Sequence, residues 1–129
     1  MDARLVGTTI YRVLLSTDKE TIVFDTDQGY IGYATQNDCC NEVWINHADG
    51  TEALENAFVF NVEESSWGDW SQVRPTRQEE EEQAFWTILT NKGRCKIEVR
   101  NSSNGYYGGQ VVHLSEIPMQ DMEELKEDF

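Results

Sequence analysis

The fold is decided by the stretch Ala84-Phe85-Trp86-Thr87-Ile88-Leu89-Thr90, Asn91-Lys92-Gly93, Arg94-Cys95-Lys96-Ile97-Glu98-Val99-Arg100. Two runs of strand-forming residues separated by a short turn that contains Gly predict a β-hairpin. In the second run apolar and charged residues alternate, which places Cys95, Ile97 and Val99 on a buried face. The same alternation turns Arg94, Lys96, Glu98 and Arg100 toward water. One buried face and one solvated face are typical of an antiparallel sheet packed on a single side.

The segments before this hairpin also read as strands. Residues 5–15, 21–25 and 30–35 are rich in β-branched and aromatic residues and are joined by short polar turns, which predicts an antiparallel meander. Residues 57–63 alternate and predict a fourth strand, with Phe58, Phe60 and Val62 on its buried face. Residues 111–114 predict a last short strand.

Three segments show helical features. Asp38 is a good N-cap, and Val43, Trp44 and His47 follow at helical spacing, so a short helix is predicted there. Residues 51–56 predict a brief helical turn, and Met119, Met122, Leu125 and Phe129 recur as in a weak amphipathic helix. We therefore predict an α+β fold, mainly an antiparallel β-sheet forming a partly open barrel or sandwich, with one or two short helices and an acidic C-terminal segment. The predicted core comprises Trp44, Phe58, Phe60, Val62, Phe85, Ile88, Ile97 and Val99.

The chain length of 129 residues suits one domain. We place a single β-rich domain at residues 1–115, with an acidic loop at residues 64–82. Residues 116–129 are predicted to form an acidic C-terminal tail or short helix.

The charge balance limits the classes of partner. There are 24 acidic and 10 basic residues, a formal net charge of −14, which argues against direct binding to a nucleic-acid backbone. No apolar run approaches the roughly 20 residues of a membrane span. The chain has three Cys, two of them adjacent, which argues against a disulfide framework. These features predict a protein of the cytoplasm, without a membrane partner.

Three groups of residues could carry chemistry, and each also has a purely structural interpretation. Cys39 and Cys40 at a helix start would form a reactive pair, but neighbouring carboxylates raise thiol pKa values, and buried packing is favoured. A metal site drawing on Cys39, Cys40, Cys95, His47 and His113 fails the usual ligand spacing. The Gly-rich segment 101–109 could form an anion nest, but it lacks the Lys-Ser or Lys-Thr ending of a phosphate loop. No cofactor is predicted.

Two motifs carry a resemblance. Residues 38–45, Asp-Cys-Cys-Asn-Glu-Val-Trp-Ile, and residues 100–109, Arg-Asn-Ser-Ser-Asn-Gly-Tyr-Tyr-Gly-Gly, resemble a family of small uncharacterised proteins from bacteriophages and bacteria. The start at residues 5–10 fits the same family, and the resemblance extends to about Leu114. It implies a phage or prophage origin and a compact β-rich domain, and it brings no function with it.

The acidic surface is the most distinctive property of the chain. We expect a non-enzymatic, phage-encoded protein that binds another protein and inhibits a host defence or nucleic-acid-binding protein by occupying its basic surface. The alternatives are a virion or assembly component, which predicts a large oligomer, and a cysteine-dependent enzyme, which requires a fast-reacting Cys39 or Cys40. The oligomeric state is not predicted. The candidate partner-binding residues are Trp67, Trp70, Glu79, Glu80, Glu81, Glu82, Tyr106, Tyr107, Glu123 and Glu124.

Overall fold

The fold is an all-β architecture, as seen in a computed structural model that describes residues 3–36, 41–65, 68–69, 80–103 and 110–126. The ten strands are β1 (Thr9–Ser16), β2 (Thr21–Thr26), β3 (Gly29–Gln36), β4 (Asn41–Asp49), β5 (Ala57–Glu64), β6 (Gly68–Asp69), β7 (Glu80–Thr90), β8 (Gly93–Ser103), β9 (Gln110–Leu114) and β10 (Met122–Glu124). Within the described ranges the only helical segments are 3-10 turns at Ala3–Leu5 and Thr51–Leu54. No helix in this part of the chain is long and apolar enough to span a membrane.

All strand pairs are antiparallel, and the strands form one open sheet. Its order is β4-β8-β7-β5-β1-β2-β3-β9, with β10 also beside β1 and β6 beside β7. The predicted hairpin is confirmed as β7 and β8, which pair from Glu80 opposite Ser103 to Thr90 opposite Gly93. The predicted meander is confirmed as β1, β2 and β3, and the brief turn after Gly50 as the 3-10 segment.

The predicted α+β class is wrong. The segment expected to be a helix after Asp38 forms strand β4, which pairs with β8 along its whole length. A register shift between Ile45 and His47 interrupts the period-two alternation expected of a strand. The positions of Val43, Trp44 and His47 therefore fit helical spacing, although all three residues lie on a bulged strand. The sheet is also open, rather than a partly open barrel or sandwich.

One buried cluster unites residues from most of the strands. The core face of the hairpin supplies Trp86, Ile88, Cys95, Ile97 and Val99, as the alternation predicts for the last three. Of the other predicted core residues, Val62 packs at the edge of this cluster. Trp44 and Phe85 are only half-buried, on the opposite face of the sheet, and Phe58 and Phe60 are exposed. From the remaining strands the cluster includes Ile10, Ile22, Phe24, Tyr33, Ile45 and Val59.

The C-terminal segment folds back over the other face of the meander. Leu14 and Val23 are opposite each other and buried there, outside the main cluster. A Cβ atom at Gly32 would lie 2.7 Å from Cδ1 of Ile117, so Ile117 packs directly on the backbone of β3. The amphipathic helix expected around Met122 and Leu125 is therefore wrong over the described residues, because this stretch pairs with β1 as strand β10. Whether residues 1–115 fold independently of residues 116–129 stays a prediction.

Candidate functional site

Two phenylalanines of β5 lie on the solvent side of the sheet. Phe58 is 39% exposed and Phe60 is 59% exposed, and their rings meet edge to face with centroids 5.5 Å apart. Their assignment to the core was wrong because the smaller neighbours Ala57 and Val59 occupy the buried face of β5. Strand alternation fixes which residues share a face, but it does not fix which face is buried.

The local backbone explains how both rings reach the same side. The pairing of β5 with β7 shifts register between Val59 and Asn61, so Phe60 occupies a β-bulge. Phe58 is held by Asn91 of the hairpin turn, whose Oδ1 accepts the Phe58 N–H at 2.9 Å. The Asn91 N–H in turn donates to the Phe58 carbonyl at 3.1 Å. The aromatic pair is therefore displayed by a doubly anchored backbone.

A third exposed aromatic residue, Tyr11, lies on the neighbouring strand β1. Tyr11 is 46% exposed and occupies the register shift between Ile10 and Arg12 in the β1–β2 pairing. Its carbonyl accepts the N–H of Asn56 at 3.4 Å, two residues before Phe58. On the same strand Thr9 is directly opposite Phe58. Three exposed aromatic side chains thus come from two adjacent strands.

Two carboxylates lie beside Arg12, the neighbour of Tyr11 on β1. Glu55, which follows the 3-10 turn, and Glu124 of β10 line one shallow pit together with Arg12. The Arg12 Nε lies 3.1 Å from Oδ2 of Asp25, and its hydrogen bond to Asp25, followed by one to the Tyr30 oxygen, raises the pKa of Arg12. Asp25 thus pairs with Arg12, and the side chains of Glu55 and Glu124 are exposed to solvent. We call the exposed residues Tyr11, Glu55, Phe58, Phe60 and Glu124 the acidic–aromatic surface.

The structure brings only part of the predicted partner-binding set to this surface. Glu123 and Glu124 are exposed on β10, opposite Leu15 and Leu14 of β1. The backbone of residues 80–82 begins β7 rather than ending a loop, and it pairs with residues 101–103 of β8. Trp67, Trp70, Glu79, Tyr106 and Tyr107 lie outside the described residues.

Sequence reasoning missed Tyr11, Glu55, Phe58 and Phe60 as candidate binding residues. The signal that could have found the phenylalanines is the apolar character of both faces of β5. Ala57 and Val59 already fill one face of a strand whose other face carries large aromatic rings. A strand that is apolar on both faces either is buried on both sides or displays one face to a partner.

A polar network lies on the solvent side of β4 and β8. The Trp44 indole N–H donates to Asn46 Oδ1 at 3.1 Å, and the Asn46 amide donates to Glu98 Oε1 at 2.6 Å. Arg100 Nε lies 3.4 Å from the same oxygen, and the two side chains are only 15% and 11% exposed. The prediction that Glu98 and Arg100 face water was therefore wrong. A carboxylate buried this deeply is stabilised by its donors and by the neighbouring guanidinium.

The other chemical candidates do not come together. Cys95 is buried in the core as a free thiol, whereas His47 on β4 and His113 on β9 are exposed at opposite ends of the sheet order. Among the residues that the structure describes, no three His, Cys, Asp or Glu side chains are grouped to hold a metal ion. Cys39, Cys40 and residues 104–109 of the Gly-rich segment lie outside the described residues.

These features define an all-β protein that exposes both aromatic side chains and carboxylates on an open sheet. The chain belongs to the family described as a domain of unknown function, DUF7448, whose model matches residues 3–113. The expected resemblance to a family without an assigned function is thereby confirmed, while the two motifs and the phage origin stay predictions. No curated protein and no solved structure matches the chain.

Proposed function

We propose that this protein acts by binding another protein that presents a basic surface, without catalysing a reaction. The observation that carries the proposal is the acidic–aromatic surface, on which Tyr11, Phe58 and Phe60 are exposed and Glu55 and Glu124 line a shallow pit with Arg12, the neighbour of Tyr11. Aromatic residues are enriched at the centres of protein interfaces, and charges at the rim guide approach. The arrangement supports a binding surface more directly than it supports a catalytic centre.

The exposed phenylalanine pair leaves a favourable burial free energy that a partner could recover. Phe60 is 59% exposed, and its neighbour Asn61 is also exposed on β5. Burial of a phenylalanine side chain contributes about 1.5–3 kcal/mol, which β5 forgoes in the free protein. A partner that covers both rings would recover that contribution on binding. The edge-to-face contact between the rings also limits their motion before binding, which lowers the entropy cost.

The net charge of the protein supports a partner with a basic surface. A net charge of −14 attracts basic surfaces and accelerates their association, and it repels the phosphates of nucleic acid. Proteins that bind nucleic acid have basic surfaces of this kind. The finer proposal is therefore that the protein is phage-encoded, works in the host cytoplasm and occupies the nucleic-acid-binding surface of a host defence protein. It rests on charge and on the motif resemblance.

The test is affinity capture with matched baits. The baits are the wild-type chain, the double variant F58S/F60S, and the control V112S, which removes an exposed apolar side chain from β9. We expect the wild-type and control baits to retain one shared basic protein, and the double variant to retain roughly tenfold less of it, as loss of central aromatic anchors predicts. Equal retention of every captured protein by all three baits would contradict the proposal.

A further inference from the structure

The basic residues of this acidic chain are concentrated on one hairpin. Four of the ten Lys and Arg residues fall within residues 92–100: Lys92, Arg94, Lys96 and Arg100. Arg94 and Lys96 are two residues apart on β8, so both project from the solvent side of the sheet, and both are exposed. This face therefore carries a local positive charge that the net charge of the protein conceals.

The two cations line a defined depression. It has a volume of about 210 Å³ and is bounded by Asp49, Gly50, Thr87, Arg94 and Lys96. None of these residues belongs to the acidic–aromatic surface. Lys96 is flanked across the sheet by Asp49 of β4 and Thr87 of β7. The depression thus combines two cations, one hydroxyl group and one carboxylate.

Two contacts fix the positions of the Lys96 side chain and of the Arg94 backbone. The Lys96 ammonium lies 4.2 Å from the centroid of the Phe85 ring, a cation–π contact that orients its stem along the sheet. Gly50 has a φ of 83°, and a Cβ atom there would collide with the carbonyl oxygen of Arg94. The close approach of these two backbones brings the turn after β4 against β8 at the Arg94 position. Within the described part of the chain, Arg94 has no ion-pair partner.

We infer that this depression is a binding site for a small organic anion that carries a phosphate or carboxylate group. The groups that line it sum to a charge of +1, from two cations and Asp49. At about 0.1 M salt, charges more than about 10 Å apart are largely screened, so a small anion inside the depression senses these groups and their nearest charged neighbours, which are Glu63 opposite Thr87 and the paired Glu98 and Arg100. A long polyanion would extend over the surrounding acidic surface and be repelled by it. The site therefore selects for small size as well as for negative charge.

The experiment is an NMR titration of the full chain with three probes at constant ionic strength: inorganic phosphate, succinate and a short oligothymidine strand. We expect saturable shifts of the backbone amides of Gly50, Thr87, Arg94 and Lys96 with phosphate or succinate. The probe that binds more tightly identifies the preferred group. Failure of both small anions to saturate these shifts would overturn the inference, as would tighter binding of the oligothymidine strand.

Three variants assign the effect to the depression. R94A/K96A should weaken binding of the small anion by roughly tenfold or more, because charge-assisted hydrogen bonds are lost. D49N should tighten it, because a repelling carboxylate is removed. K92A removes a cation of the same hairpin that lies outside the depression. It should leave the affinity within about twofold of the wild-type value, since exposed charges that do not contact the anion are screened. Equal effects of K92A and R94A/K96A would contradict a defined site.

Discussion

Phe58 and Phe60 meet edge to face on the solvent side of β5, with their ring centroids 5.5 Å apart. The β-bulge at Phe60 and the two hydrogen bonds between Phe58 and Asn91 hold this display in place. The exposed pair makes stability and binding separable, because substitutions there remove little packing from the core.

The first prediction concerns that separation. F60S should change the free energy of unfolding by less than about 1 kcal/mol, since exposed positions contribute little to stability. I88A should cost about 2–5 kcal/mol, because Ile88 is fully buried in the main cluster. Urea denaturation measures both values. A cost of F60S comparable to that of I88A would place Phe60 in the core.

The second prediction concerns the attachment of the C-terminal segment. The Leu125 N–H donates to the Val13 carbonyl at 2.8 Å, and the Leu125 side chain is 8% exposed in the main cluster. L125A should cost at least about 2 kcal/mol and reduce the protection of β10 amides from hydrogen exchange. K126A, at the exposed neighbouring position, is the control. Unchanged stability in L125A would show that the segment is an independent tail.

The third prediction concerns the polar network on the solvent side of β4 and β8. N46A removes the 2.6 Å donor to the buried carboxylate of Glu98 and should cost about 1–3 kcal/mol, because a buried acceptor loses its partner. In a double-mutant cycle, N46A should cost much less when Glu98 is already replaced by Ala, which has no acceptor for the Asn46 amide. Additive costs in that cycle would contradict a direct interaction between the two side chains.

The fourth prediction concerns alkaline pH. Burial raises the pKa of Tyr33 to about 12 from an ordinary value of 10.0. The folded state therefore holds this proton more tightly than the unfolded state, so the stabilising contribution is complete below pH 10 and is lost as pH rises toward 12. Thermal unfolding across that window should show a smaller decrease in stability for Y33F than for the wild type. Y11F, at an exposed tyrosine, should follow the wild type, and an equal decrease in all three proteins would contradict the assignment.

The sequence predicted the strands better than their faces. The hairpin of β7 and β8 was recoverable because its turn chemistry and the alternation of Cys95, Ile97 and Val99 agree. β4 was mistaken for a helix because its bulge between Ile45 and His47 breaks the period of two. The exposure of Phe58 and the burial of Glu98 depend on neighbouring strands that are distant in sequence. No local pattern contains that information.

The candidate site was predictable only in its charge. Glu123 and Glu124 were identified from composition, and the structure leaves both exposed on β10. The proximity of Glu124 to Glu55 depends on the return of the C-terminal segment to β1, which the spacing of Met122 and Leu125 did not distinguish from a helix. Charge is a property of composition, whereas the partners of a carboxylate are set by tertiary pairing.

The most direct test of the proposed function is the association rate with the captured partner, measured at about 0.05 M and about 0.2 M NaCl. The account predicts that salt and the substitution of Glu79–Glu82, Glu123 and Glu124 by Gln both slow association, because these charges steer the encounter. It predicts that F58S/F60S instead speeds dissociation, because the rings anchor the complex. Association and dissociation rates that are unchanged by salt and by both sets of substitutions would contradict the account.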